Sequence, residues 1–223
     1  MIALTDQRIP RLKPCTRQWE HGAALFVMML LLHLVLSRYG TDWWWSLLAF
    51  LSATVHQGLV AFIWRREIFA PARDESKRRW TIRFFAVSFA LLITFRIALT
   101  VILSVTSSGS VTLNPFLRTV GMGGILFFAL WTFYSVIRYF GMFRALGADH
   151  FLPEYRLKSF VHKGIYQYTS NAMYTFGTLL FLLPGLLFQS GEALAFGLYQ
   201  YLAVWIHYWA TEKPDIRHLY GKK

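Results

Sequence analysis

The residues of this 223-residue chain best suited to chemistry gather in its last third. The segment 163–174, KGIYQYTSNAMY, sets Gly164, Tyr166, Tyr168, Ser170 and Asn171 just ahead of an apolar run. Ser170 or Asn171 is a natural helix N-cap, because its side-chain oxygen accepts from an otherwise free amide. Such amides beside two tyrosine faces suit an anionic or nucleoside ligand. The segment 211–221, TEKPDIRHLYG, follows a second apolar run and places Glu212 ahead of Pro214. Only QSGE separates the two runs, 172–188 and 193–210, so they read as a tight helical hairpin, bent where Pro184 and Gly185 interrupt the first arm. An antiparallel hairpin returns Asn171 and Glu212 to one surface. Capping alone also accounts for Ser170 and Asn171, so an ordinary capped hairpin is the competing reading.

Elsewhere, polar groups sit inside apolar stretches. Arg96 lies ten residues or more from either end of one. A charge at that depth costs at least about 2.5–3.5 kcal/mol on insertion scales, so it either lines a pocket for a lipid phosphate or carboxylate or is satisfied structurally. His33, His56 and His207 lack the spacing or carboxylate neighbours of a metal site, and hydrogen bonding between helices is their expected role. With Cys15 as the single cysteine, no disulfide framework or thiolate zinc site is expected. Gly121-Met122-Gly123-Gly124 lacks the spacing and preceding strand of a dinucleotide fingerprint and reads as a small-residue packing face. Trp43, Trp44 and Trp45 read as an interfacial belt.

The elements that carry these residues follow from hydropathy. Hydrophobic residues make up 56% of the chain and charged ones 15%, against about 25% in soluble domains. Four stretches approach the roughly 20 apolar residues that a transmembrane helix needs. They run from about 19 to 37, 43 to 64, 84 to 106 and 120 to 140. The fold expected is therefore all-α, a polytopic transmembrane bundle of four spans plus the C-terminal hairpin. The formal net charge of +12 is concentrated in alternate gaps. Four Lys and Arg precede the first span and seven lie between spans two and three, whereas the gaps after spans one and three hold Arg38 and Arg118 alone. The positive-inside rule then predicts six passes with both termini cytoplasmic. Basic residues confined to gaps argue against nucleic-acid binding, and the polar start argues against a cleaved signal peptide.

At the hairpin the sequence resembles the membrane-embedded methyltransferase superfamily, which includes isoprenylcysteine carboxyl methyltransferases and phospholipid N-methyltransferases. The resemblance rests on Leu146-Gly147, on Gly164, Tyr166, Asn171 and Tyr174, and on Glu212, Ile216, Tyr220 and Gly221. YTSNAMYTFG followed by HYWATEKPDIRHLYG is most similar to the phosphatidylethanolamine N-methyltransferase branch. The resemblance covers about the last 80 residues. It implies a methyltransferase-like core over 120–223 and an unassigned, acceptor-side unit over 1–119. It departs from the family at Ser170, Ala172 and Lys213, where an arginine, a proline and a second glutamate are usual.

The resemblance implies S-adenosylmethionine as cofactor and a membrane lipid as acceptor, without a metal. Gly147, Gly164, Tyr166, Tyr168, Asn171, Tyr174 and Glu212 are the expected cofactor-binding residues. Phosphatidylethanolamine must lose an amine proton before attack, and His207 and His162 are the candidate bases, since imidazole titrates near neutrality. Arg96 and Arg138 are the candidates for the lipid phosphate. The alternatives are another membrane-soluble acceptor (an isoprenylcysteine carboxylate, a thiol or a small amine) and a non-catalytic scaffold of the same fold. The short termini and compact loops lean towards a bacterial inner membrane.

Overall fold

The computed structural model describes residues 12–36, 43–71 and 74–221, and every regular element among them is helical. In chain order these are α1 (Gln18–Leu36), α2 (Trp43–Phe69), α3 (Glu75–Thr106), α4 (Pro115–Ser135), and the short α5 (Met142–Ala145), α6 (Ala148–Phe151) and α7 (Pro153–Arg156). The hairpin and tail supply α8 (Ala172–Thr175), α9 (Leu183–Phe188), α10 (Gly191–His207) and α11 (Lys213–Tyr220). The helices α1, α2, α3 and α4, the last extended by a wide π turn to Phe140, are long and apolar enough to cross a membrane. Large apolar side chains such as Leu91 and Phe127 face outward, while Ser104, Thr132 and Gln200 are buried, as expected where lipid is the solvent.

Sequence sets the helix ends. Asp74 caps α3 by accepting from Ser76 N at 3.1 Å, and Asn114 caps α4 by accepting from Leu117 N at 3.1 Å, with Pro115 in the first turn. Both α2 and α3 run past the apolar stretches, which end at 64 and begin at 84, because polar residues continue a helix beyond the bilayer where neighbouring segments or water satisfy them. The tryptophans at the start of α2 are exposed, as a belt requires.

The central helix is α10. Phe196, Tyr199 and Ala203 pack among Leu25 of α1, Phe50 and Ala53 of α2, and Leu99 and Leu103 of α3. Across the hairpin stands α4, with Phe128 stacked on Phe176 at 4.9 Å. The first arm of the hairpin is broken rather than continuous: α8, a tight 3₁₀ stretch (Gly177–Leu182) and then α9. Pro184 has no amide hydrogen for the carbonyl four residues back, so the turns before it cannot complete a regular α-ladder. At the tip, Gly109 N donates to Phe188 O at 2.9 Å and Val111 N to Gln189 O at 3.1 Å. The hairpin therefore runs from the α3–α4 connection to the opposite end of the bundle. The small-residue run of α4 behaves differently from its expected packing role: side chains added at Gly121, Gly123 and Gly124 would meet nothing within 4 Å. The contacts of α4 come instead from farther along the helix, at Phe128 and Thr132.

At the end opposite the tip, the N-terminal segment, the end of α2, the 141–171 segment and the tail come together. Arg65 Nη1 donates to Lys13 O at 2.9 Å and Gln18 Nε2 to Thr211 Oγ1 at 3.2 Å.

Candidate active site

Two glycines shape the floor. Gly147 takes a left-handed turn (φ 77°), and a Cβ there would lie 2.5 Å from the Trp64 ring. Gly164, also left-handed (φ 61°), lets its backbone approach Ser135 Oγ, which accepts from Ile165 N at 3.1 Å. These close approaches bring α5, α6 and the 3₁₀ turn Gly164–Gln167 against α2 and the foot of α4.

Between them and the hairpin mouth lies a cavity of about 260 Å³. Its walls are polar and aromatic: Arg144, Gly147, Asp149, His150, Tyr166, Ser170, Asn171, Tyr174, Tyr208, Glu212 and Tyr220 all contribute. Asn171 occupies the N-cap position of α8, yet its side chain makes no capping bond, unlike the sequence expectation. Tyr174 donates its hydroxyl hydrogen to Glu212 Oε2. Burial pushes the Glu212 carboxyl up to about 7, against the hydrogen bond from Tyr174 and the nearby His150, which favour its charge. Tyr166 stacks on Phe140 at 4.9 Å, and burial raises its phenol to about 12.

Behind this cavity runs a buried chain of charges. His150 stacks on Trp64 at 4.2 Å, with Nδ1 3.1 Å from Asp149 Oδ1 and Nε2 3.4 Å from Asp215 Oδ2. Asp215 is fully buried and pairs with Arg65 Nε at 2.7 Å. Burial alone would pull the His150 imidazole down, but the two carboxylates lift it to about 9. Burial opposes charge on Asp149 as well, yet hydrogen bonds from His150 and Tyr220 hold it below its usual range. The 2.8 Å bond from the Tyr220 hydroxyl to Asp149 Oδ2 ties α11 across the cavity.

A second cavity, of about 440 Å³, lies deeper in the bundle and is walled mainly by hydrocarbon from α2, α3, α4 and the hairpin. Trp64, Ala145, Met173 and Tyr174 line both, so the two adjoin at these side chains. Ile97 of α3 and Phe133 of α4 line the deeper cavity and are themselves substantially exposed. Arg96, His56, His207 and Trp64 line it with buried nitrogens that have no hydrogen-bond partner among the described residues.

The expected site residues distribute unevenly. Gly147, Tyr166, Asn171, Tyr174 and Glu212 converge on the polar cavity, and Gly164 shapes its wall without lining it. Tyr168 is 72% exposed and meets Trp131 instead. Arg96 and His207 line the deeper cavity. His162 is exposed and lines neither, and Arg138 is exposed beside Tyr139. Sequence reasoning did not single out Asp149, His150, Asp215 or Trp64. The one available signal was the adjacent polar pair Asp149-His150, two residues after Leu146-Gly147.

No curated protein and no solved structure matches the chain. The phospholipid methyltransferase family model matches residues 117–223, just under half of the sequence. That region holds every residue lining the polar cavity except Trp64. From α4 onward, then, the chain is similar to the phospholipid methyltransferase family, consistent with the membrane-embedded methyltransferases.

Proposed function

We infer that the protein transfers a methyl group from S-adenosylmethionine to a lipid amine, with phosphatidylethanolamine as acceptor. The observation that carries this reading is the pair of adjoining cavities, one polar and one apolar, sharing Tyr174 and Trp64. The polar cavity has the donor set that the cofactor needs. Glu212 and Asp149 offer carboxylates to its cationic amino group and sulfonium, Arg144 offers a cation to its carboxylate, and Tyr166 and Phe140 offer aromatic faces. When bound, S-adenosylmethionine supplies a methyl group already activated by its positive sulfur.

The protein's remaining task is alignment and proton removal. Tyr174 holds Glu212 at the boundary between the cavities. The apolar walls exclude water and leave an acceptor few orientations, which is where an in-line displacement gains most. The lipid amine must shed a proton before its nitrogen forms the new N–C bond and the C–S bond breaks. His207 lines the deeper cavity, both its ring nitrogens lack a hydrogen-bond partner among the described residues, and in this reading it takes that proton. His162 lines neither cavity. The basic end of the bundle, with both termini, faces the cytoplasm in this reading, where the soluble cofactor is found.

The test is incubation of the purified protein with methyl-labelled S-adenosylmethionine and a bacterial lipid extract, followed by mass spectrometry of the lipids. Labelled methylated phosphatidylethanolamine is the expected product. Label on a prenylated or small-molecule acceptor would move the acceptor assignment, and cofactor binding without any labelled product would favour a scaffold.

A further inference from the structure

Arg96 belongs to α3, outside the family-matched region, and its surroundings are unusual for a charge. The side chain is 1% exposed. Its Nε donates to Gln200 Oε1 at 3.0 Å and its Nη1 to His56 Nδ1 at 2.8 Å, while Nη2 has no acceptor among the described residues. Gln200 is fixed in turn by a 3.2 Å bond from Nε2 to Thr100 Oγ1, and the Phe181 ring packs 5.0 Å from the guanidinium carbon. All of these neighbours are neutral, and among the described residues no carboxylate pairs with Arg96. A fixed cation without a counter-charge inside the apolar zone is costly unless something completes it.

The neighbouring histidine sharpens the point. A guanidinium can only donate, so His56 Nδ1 must present its lone pair and the ring hydrogen sits on Nε2. That N–H has no acceptor either, and His56 is 2% exposed. Both residues line the deeper cavity, which no Asp or Glu among the described residues lines.

We propose that Arg96 and His56 form an anion site within the membrane that takes the phosphate or carboxylate of a lipid lying in the apolar cavity. The site has two donors, Nη2 of Arg96 and Nε2 of His56, and Gln200 keeps the guanidinium from rotating away. Hydrocarbon walls receive the tails of the same molecule. A neutral lipid would leave the charge unpaired, and a purely cationic amphiphile would add a second positive charge. The proposal rests on the methyltransferase reading only in taking this anchored lipid as the acceptor. It places substrate selection in α2 and α3, the half of the chain outside the family match.

The test is native mass spectrometry of the full chain in neutral detergent, offered dioleoylphosphatidylethanolamine, oleate or dioleoylglycerol. The wild type is expected to retain one of the two charged probes about tenfold over the neutral one. Preference for the phospholipid identifies a phosphodiester ligand, and preference for oleate a carboxylate. In Arg96→Gln and His56→Phe the advantage should fall to about twofold or less. Arg96→Lys keeps the charge but loses the fork, and should fall between. Arg138→Gln should match the wild type. If Arg96→Gln does not fold, His56→Phe and Arg96→Lys carry the test. Equal retention of all three probes by the wild type, or an undiminished preference in the variants, overturns the site. Cofactor binding by calorimetry, run on the same samples, separates the two ideas: its absence alongside an intact lipid preference counts against the methyltransferase and leaves the anion site standing.

Discussion

The two cavities meet at Tyr174 but treat charge in opposite ways. Around the polar cavity every buried charge has a protein partner: Asp149 with His150, His150 with Asp215, Asp215 with Arg65, Glu212 with Tyr174. Around the apolar cavity Arg96, His56 and His207 keep unpartnered nitrogens. A network completed by the protein is preorganised, so binding there spends little on rearrangement. Groups left open in a low-dielectric zone are costly on their own and favour a ligand that completes them. The contrast suits a soluble cofactor bound repeatedly in a fixed cradle and a lipid drawn into a greasy chamber by a few polar contacts.

The division predicts that losses on one side leave the other intact. The largest effect belongs to His207→Ala, where kcat should fall about 10²- to 10⁴-fold with cofactor affinity unchanged. Equal loss of cofactor binding by calorimetry would break the division. Next, Glu212→Ala should weaken cofactor binding about 10- to 100-fold, as for a lost charge-assisted contact. The same carboxylate sets a pH dependence. Cation binding needs it ionised, so affinity should be flat above pH 7 and fall about tenfold per unit as the pH drops below about 7. In Glu212→Gln that slope should vanish.

A third change reaches both cavities. Gly147→Ala drives a Cβ into Trp64, which lines each of them, and should cost about 1–3 kcal/mol in a thermal or denaturant melt. A smaller effect comes from His150. Its raised pKa means that the charged ring stabilises the fold fully below its ordinary value of 6.5, and that this contribution disappears as the pH rises through about 9. The tail helix α11 should then loosen, seen as faster hydrogen exchange around Tyr220, and His150→Gln should remove that pH step. The smallest effects are expected at His162→Ala and Arg138→Gln, within about twofold of wild-type turnover, because both are exposed away from the cavities.

Much of this was legible in the sequence. Long apolar runs reveal spans because lipid leaves the backbone few alternatives, and four of the six expected passes are helices of membrane-crossing length. The hairpin followed from two runs divided by QSGE, and with it the meeting of Asn171 and Glu212. What hydropathy does not carry is azimuth, the direction each residue faces around its helix. Tyr168 and Tyr166 stand two residues apart, yet the 3₁₀ turn points one outward and the other into the cavity. Asp149, His150, Asp215 and Arg65 come from three segments distant in sequence, so no local spacing joins them. The unusual setting of Arg96 was half visible. Its depth marked it as unusual, but its partnership with His56 depends on how α2 and α3 pack.

The most direct measurement is a structure determined in a lipid environment with S-adenosylhomocysteine, the demethylated form of the cofactor. The account predicts the ligand in the polar cavity, its amino group on Glu212 and its sulfur turned towards Tyr174 and the apolar chamber. A ligand bound elsewhere, or an occupied polar cavity with the sulfur facing away from that chamber, would contradict it.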